Sequence, residues 1–144
     1  MNEPSGILGR TKQFALRIIR LYSALPKTTE AQVLGKQILR SGTSVGAQLR
    51  EAKRSRSDAE MISKTESALQ ELEETDYWLE LLGDTEIIKS ELLLDLRTEV
   101  NELVSILVTS VKTLKSRNEL DNKNNEFFKN FDENVTLIKN KSKI

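Results

Sequence analysis

The sequence predicts an all-α protein: an antiparallel up-and-down four-helix bundle with a short C-terminal appendage. Three observations lead there. Only two prolines and six glycines punctuate 144 residues. No alternating apolar–polar run of strand type survives along the chain, and apolar residues recur instead at three- and four-residue spacing. The four stretches that carry this spacing are joined by short connections, so their stripes can be buried together only as an antiparallel bundle.

The first helix is expected from about Gly6 to Ala24, with Phe14, Ile18, Leu21 and Leu25 in its stripe, and Pro26 ends it. The second begins at Thr29-Glu30-Ala31-Gln32, which reads as a capping box, and its stripe is Leu34, Ile38, Val45, Leu49 and Ala52. A second capping box, Ser57-Asp58-Ala59-Glu60, starts the third helix. Gly83 is expected to stop it in the left-handed conformation glycine tolerates best. The fourth covers roughly Thr85 to Arg117, with a break near Lys89-Ser90 and a stripe of Leu93, Val100, Leu103, Leu107, Val111 and Leu114. Residues 1–117 therefore form the bundle. Residues 118–144 turn to Asn, Lys and Glu and form a polar tail, partly helical or disordered. Phe127, Phe128, Phe131, Val135 and Ile138 keep helical spacing there, so a short helix in a weakly held appendage is expected.

Composition narrows the functional classes. Hydrophobic residues make up 38% and charged residues 31% of the chain, the balance of a globular protein with a heavily charged surface. No apolar run approaches the ~20 residues of a membrane span. No signal-peptide pattern opens the chain, so a cytoplasmic location is expected. There is no cysteine and no histidine, which removes disulfides, thiol nucleophiles, the commonest general base and the commonest zinc ligands. No cofactor is expected. The net charge is zero, yet residues 1–56 hold 11 Lys/Arg against 3 Asp/Glu, whereas residues 57–117 hold 6 against 14. Opposed halves of this kind predict helices paired by charge, or one basic face.

Ser41-Gly42-Thr43-Ser44 with Gly46-Ala47 places six small residues in seven positions. No Lys-Ser/Thr follows as a phosphate loop requires, so close approach of a neighbouring helix is the expected role. Glu71/Glu74 and Glu99/Glu102 are acidic pairs at i, i+3 that could chelate a divalent metal between helices, but no histidine completes a di-iron set. A solvated face is the expected role of both pairs.

Lys36, Arg40, Arg50 and Arg54 fall within about 80° on a helical wheel, opposite the apolar stripe, and Lys53 and Arg56 extend the cluster. Such a ridge can bind the phosphates of RNA or DNA. Equally, it can be solvated, or zipper with Glu66, Glu73 and Glu80, which recur every seven residues on the third helix. Tyr77, Trp78 and Leu81 lie roughly 110–170° from the core stripe of that helix. They are either a wide core or the anchors of a subunit interface.

The segment 39–82 carries a family likeness. Leu39-Arg40-Ser41-Gly42-Thr43-Ser44-Val45-Gly46-Ala47, then Glu51-Ala52 and Ser57-Asp58, then Glu71 and Glu74-Thr75-Asp76-Tyr77-Trp78-Leu79-Glu80-Leu81-Leu82, resemble the small bacterial four-helix-bundle proteins first described as 23S rRNA intervening-sequence proteins. The likeness fades after Thr109-Ser110-Val111-Lys112-Thr113-Leu114-Lys115. It departs at Ala59-Glu60-Met61, where relatives often carry an aromatic residue, and at Gln70, where lysine is frequent. It implies a bundle that assembles into rings, commonly pentamers. Its more distant relatives include the accessory protein of diversity-generating retroelements, which works with a reverse transcriptase and nucleic acid.

The expected function is thus a non-enzymatic homo-oligomeric scaffold or adaptor, with Tyr77, Trp78 and Leu81 at the subunit interface. The alternative is a nucleic-acid-binding accessory protein that contacts RNA, DNA or a nucleic-acid enzyme through Lys36, Arg40, Arg50, Lys53, Arg54 and Arg56. A carboxylate-bundle hydrolase stands a distant third.

Overall fold

The computed structural model describes residues 6–142, and the side chains of all of these except residues 132 and 135–142. Four helices follow one another: α1 Gly6–Ala24, α2 Thr29–Lys53, α3 Asp58–Asp84 and α4 Ser90–Ser142. Each packs beside the next in sequence. Partners across every seam run in opposite directions: along α2, Arg40 meets Glu71 and Glu51 meets Lys64. The architecture is therefore an antiparallel four-helix bundle. The α1–α2 and α3–α4 turns lie at one end and the α2–α3 turn at the other.

The core is the predicted set of stripes. Phe14 and Ile18 from α1, Ile38, Val45 and Leu49 from α2, Leu72, Leu79 and Leu82 from α3, and Leu93, Val100, Leu103 and Leu107 from α4 form one buried cluster. Small residues on α2 set the α1–α2 distance. A Cβ at Gly35 would stand 2.5 Å from Leu25 Cδ1, and one at Gly42 would stand 2.8 Å from Ile18 Cγ1. The small-residue run is thus a contact face, as expected, and α2 continues unbroken through it. On the α3 side, buried Thr75 donates to Ser41 Oγ at 2.7 Å, while Ser41 donates to Gln37 O at 2.9 Å. These two hydroxyls satisfy one another inside the core, where an unmade hydrogen bond would be costly.

Four local expectations need correction. The N-cap of α2 is Thr28, whose side chain accepts from Ala31 N, one residue before the predicted cap. Gln32 is drawn away to Pro26 O at 2.8 Å and to the Tyr22 hydroxyl at 3.2 Å. The Ser57 cap does form, with Glu60 N donating to Ser57 Oγ at 3.1 Å. Gly83 is not the left-handed residue: it stays helical and lets Ser90 approach, since a Cβ there would lie 2.8 Å from Ser90 Oγ. The reversal falls on Glu86, at φ 60°, a conformation that side-chain-bearing residues adopt at some cost.

The third correction is to the charge zipper. Glu66 meets Lys115 at 2.8 Å, and Glu80 lies 4.0 Å from Arg97. Both face α4 rather than α2. The fourth is to the last helix: the expected break near Lys89-Ser90 is its true start, so residues 85–89 lie outside it, and it runs on to Ser142 rather than stopping at Arg117. Beyond the bidentate Arg117–Asp58 pair, every described side chain from Glu119 onward is exposed. Val135 and Ile138 of the tail stripe lie outside the described side chains.

Candidate functional site

The two acidic pairs prove to be arginine clamps. Arg40 on α2 donates through Nη1 to both Glu71 oxygens, at 3.2 and 3.4 Å, and through Nη2 to Glu74. Arg10 on α1 donates through Nε to Glu99 Oε2 at 3.0 Å and also reaches Glu102 on α4. An i, i+3 pair of carboxylates on one helix thus holds one guanidinium from the neighbouring helix, twice over. The Arg40 guanidinium holds the Glu74 carboxyl below its usual range; burial opposes this, and the Trp78 indole N–H, donating to Glu74 at 3.2 Å, reinforces it. The glutamate pairs are therefore structural ion pairs. Among the described residues no group of three or more acidic side chains could hold a metal ion.

This geometry divides the predicted basic ridge. Arg40 is spent on the α2–α3 seam. Lys36, Arg50, Lys53, Arg54 and Arg56 are exposed, and none has an ionic partner among the described residues. Four of them crowd the last turn of α2 and the α2–α3 turn, where the negative end of the α2 dipole favours positive charge. The structure therefore brings together a cationic end made of Arg50, Lys53, Arg54 and Arg56, with Lys36 four turns away and Arg40 withdrawn.

The predicted apolar anchors divide too. Tyr77 is 53% exposed, whereas Trp78 is half-buried and packs against the core cluster. Their rings sit 5.1 Å apart at an angle of 53°, and Leu81 is half-buried one turn on. The wide-core role thus accounts for Trp78 and leaves Tyr77 on the outside. Within the bundle, four exposed apolar residues were missed from sequence: Ile19, Val33, Leu92 and Leu94. A signal for two of them was present, because Leu92-Leu93-Leu94 cannot all face one side of a helix at 100° per residue. With Tyr77 they all lie in the half of the bundle nearer the α1–α2 and α3–α4 turns. At that end Val33 and Leu34 also line a cleft with Ile87 and Thr85. The bundle therefore has an apolar end and a cationic end. Among the described residues no helix is long and apolar enough to cross a membrane.

Comparison with known proteins agrees with the architecture. The model of the 23S rRNA-intervening sequence protein family matches residues 5–109. A crystal structure of a protein of unknown function from the S23 ribosomal protein family of Bacteroides thetaiotaomicron is 41% identical, with a TM-score of 0.71. The match covers 74% of this chain and 99% of that one. No curated protein matches the chain.

Proposed function

This chain belongs to the 23S rRNA-intervening sequence protein family, and from that premise we propose that it is a non-enzymatic, homo-oligomeric scaffold or adaptor. The observation that carries this reading is the gathering of Ile19, Val33, Tyr77, Leu92 and Leu94 in one half of the bundle, each at least 43% exposed. Scattered exposed apolar residues mean little, but five confined to one half of the bundle, on more than one side of it because Leu92 and Leu94 stand about 200° apart, mark contact patches there. Tyr77 and Leu81, one turn apart, with Trp78 fixed behind them by Glu74, supply the aromatic anchor that interfaces favour. Head-to-tail use of such a surface closes into a ring when the rotation between subunits allows it, and a pentamer is the ring expected here. Catalysis has no support: there is no histidine or cysteine, and both glutamate pairs are occupied by arginines. Light scattering at micromolar concentration tests the reading. The wild type is expected at a multiple of 16.4 kDa, and Leu81→Asp is expected to lower that mass. A monomeric wild type ends it.

A second reading is favoured by one observation, the unpartnered cations Arg50, Lys53, Arg54 and Arg56. They would bind RNA or DNA phosphates with an affinity that falls as salt rises, about one unit of log–log slope per contact. Arg50→Glu with Arg54→Glu is expected to abolish retention on RNA. Unchanged retention would leave these residues as a solvated helix end.

A further inference from the structure

The bundle's cationic end carries an apolar cleft of about 430 Å³. Ile7 and Leu8 of α1, Leu49 of α2, Met61 of α3, and Leu107 and Leu114 of α4 line it. None of the exposed large hydrophobics of the bundle lies near this mouth; the remaining four, Leu120, Phe127, Phe128 and Phe131, all stand on the α4 extension that leaves from it, 56–64% exposed. The two features share one face of one helix. At 100° per residue, Thr109, Ser110 and Thr113, which border the cleft, fall on the same side of α4 as Leu120, Phe127 and Phe131. An apolar hollow and an unpartnered apolar ridge thus continue into one another. The ridge cannot fill its own hollow, because Phe127 stands 13 residues, or about 20 Å, beyond Leu114 along a straight helix.

We propose that the α4 extension is a reciprocal docking arm: its phenylalanine ridge enters the cleft of a second copy, whose own arm returns the contact. Two α4 helices laid antiparallel about a twofold axis near Leu120 place Phe127 opposite the other copy's Thr113, and Phe131 opposite its Thr109. Both are residues that border the cleft. Each copy thereby contributes the same surface, as a twofold contact requires.

Charge agrees with this occupant. Glu119 and Glu126 on the arm are exposed and have no ionic partner among the described residues, and the cleft is lined by unpartnered Lys53, with Arg50, Arg54 and Arg56 at the same end of the bundle. Area agrees too. A fully exposed phenylalanine contributes about 150–250 Å² when buried, and these three have 56–64% of their surface left to bury. Three from each copy, with the cleft walls, reach the ~1,000 Å² of a specific interface.

The contact stands at the end opposite Tyr77 and does not depend on a ring forming there. Because the chain has no cysteine, engineered pairs report alone. Thr113→Cys with Phe127→Cys on the full chain cannot close within one copy, since about 21 Å separates the positions along the helix and a disulfide needs Cα atoms closer than about 7 Å. Mild oxidation is expected to give a covalent dimer. Adding Phe128→Asp and Phe131→Asp is expected to abolish it, and adding Leu81→Asp is expected to leave it intact. Absence of the covalent dimer overturns the proposal. So does equal dimer from Phe127→Cys alone, which would mean arms paired side by side rather than seated in clefts. Loss of the dimer on Leu81→Asp would also overturn it, by making the contact a by-product of assembly at the other end.

Discussion

Phe14 and Phe128 occupy helices of the same protein, yet one is fully buried and the other is 63% exposed. The difference shows how two kinds of helix persist in one chain. In the bundle every helix is held by neighbours: Phe14 sits in the shared core, and arginines from α1 and α2 clamp glutamates on α4 and α3. In the extension, no described side chain after Arg117 has a partner on another helix. That stretch persists by propagation. Starting a helix is the costly step, and the bundle has already fixed the preceding turns of α4, so each further residue adds a hydrogen bond without a new nucleus. The extension also lies beyond residue 109, where the family match ends.

The same substitution at both phenylalanines gives the sharpest contrast. Phe14→Ala is expected to cost about 3–5 kcal/mol of bundle stability through lost burial and the cavity left behind. Phe128→Ala, measured by denaturant unfolding in dilute solution, is expected to change it by less than about 0.5 kcal/mol. Comparable losses at both sites would mean that the extension packs on its own bundle.

The close approach of α1 and α2 marks the bundle side of the contrast next. Gly42→Ala would set a methyl 2.8 Å from Ile18 Cγ1. The expected loss is about 1–3 kcal/mol, despite alanine's better helix propensity. If the variant is more stable than the wild type, the seam is looser than these distances imply and helix propensity governs α2 as well.

What the sequence made legible follows the same division. Four stripes and their breaks were enough to place α1 to the residue, because long amphipathic periods leave little freedom in where a helix buries its face. The Ser57 cap was readable because its partners are local. The Arg40 clamp was not: Glu71 and Glu74 looked like a solvated pair, and choosing among the nine acidic residues of α3 requires the relative rotation of two helices, which one sequence does not encode locally. Gly83 misled for a related reason. Glycine serves both left-handed turns and close contacts, and here Ser90, seven residues away, decides which. The extension was legible only in part: the spacing of Phe127, Phe128 and Phe131 predicted a short helix, but not one continuous with α4, since Asn-rich segments read as loop when helix nucleation elsewhere is ignored. Of the interface candidates, Tyr77 was legible and Trp78 half so, while Ile19 and Val33 gave no signal of exposure.

Acid should separate the two regions more gently. Arg40 depresses the Glu74 carboxyl and Arg117 depresses that of Asp58. A carboxylate whose folded pKa lies below its unfolded value stabilises the fold above the unfolded value, about 4, and that contribution is lost as pH falls through the folded one. Bundle stability is therefore expected to fall below about pH 4. Arg40→Ala should flatten part of that fall while lowering stability at neutral pH by about 1 kcal/mol or less, because the clamp is half-exposed. Unfolding curves at several pH values measure both effects, and an unchanged acid limb would mean that Arg40 does not hold Glu74 in solution.

The smallest expected effect belongs to the extension. Asn122 and Asn125 lie on the side of α4 away from Leu120, Phe127 and Phe131, so replacing them touches neither the bundle nor those three residues of the proposed docking ridge. If propagation alone maintains this stretch, its helicity depends on intrinsic propensity, and Asn→Ala favours the helix by about 0.5 kcal/mol per site. Asn122→Ala with Asn125→Ala is then expected to raise the helical signal in circular dichroism at low temperature. The midpoint of bundle unfolding should stay where it was, because the core does not extend past Arg117. A shift of that midpoint together with the helical signal would mean that extension and bundle unfold as one cooperative unit. An unchanged signal would mean that the extension is already held helical by something other than its own backbone, and the arm seated in a second copy's cleft is the candidate: the Phe128→Asp, Phe131→Asp background should then restore the dependence on Asn122 and Asn125.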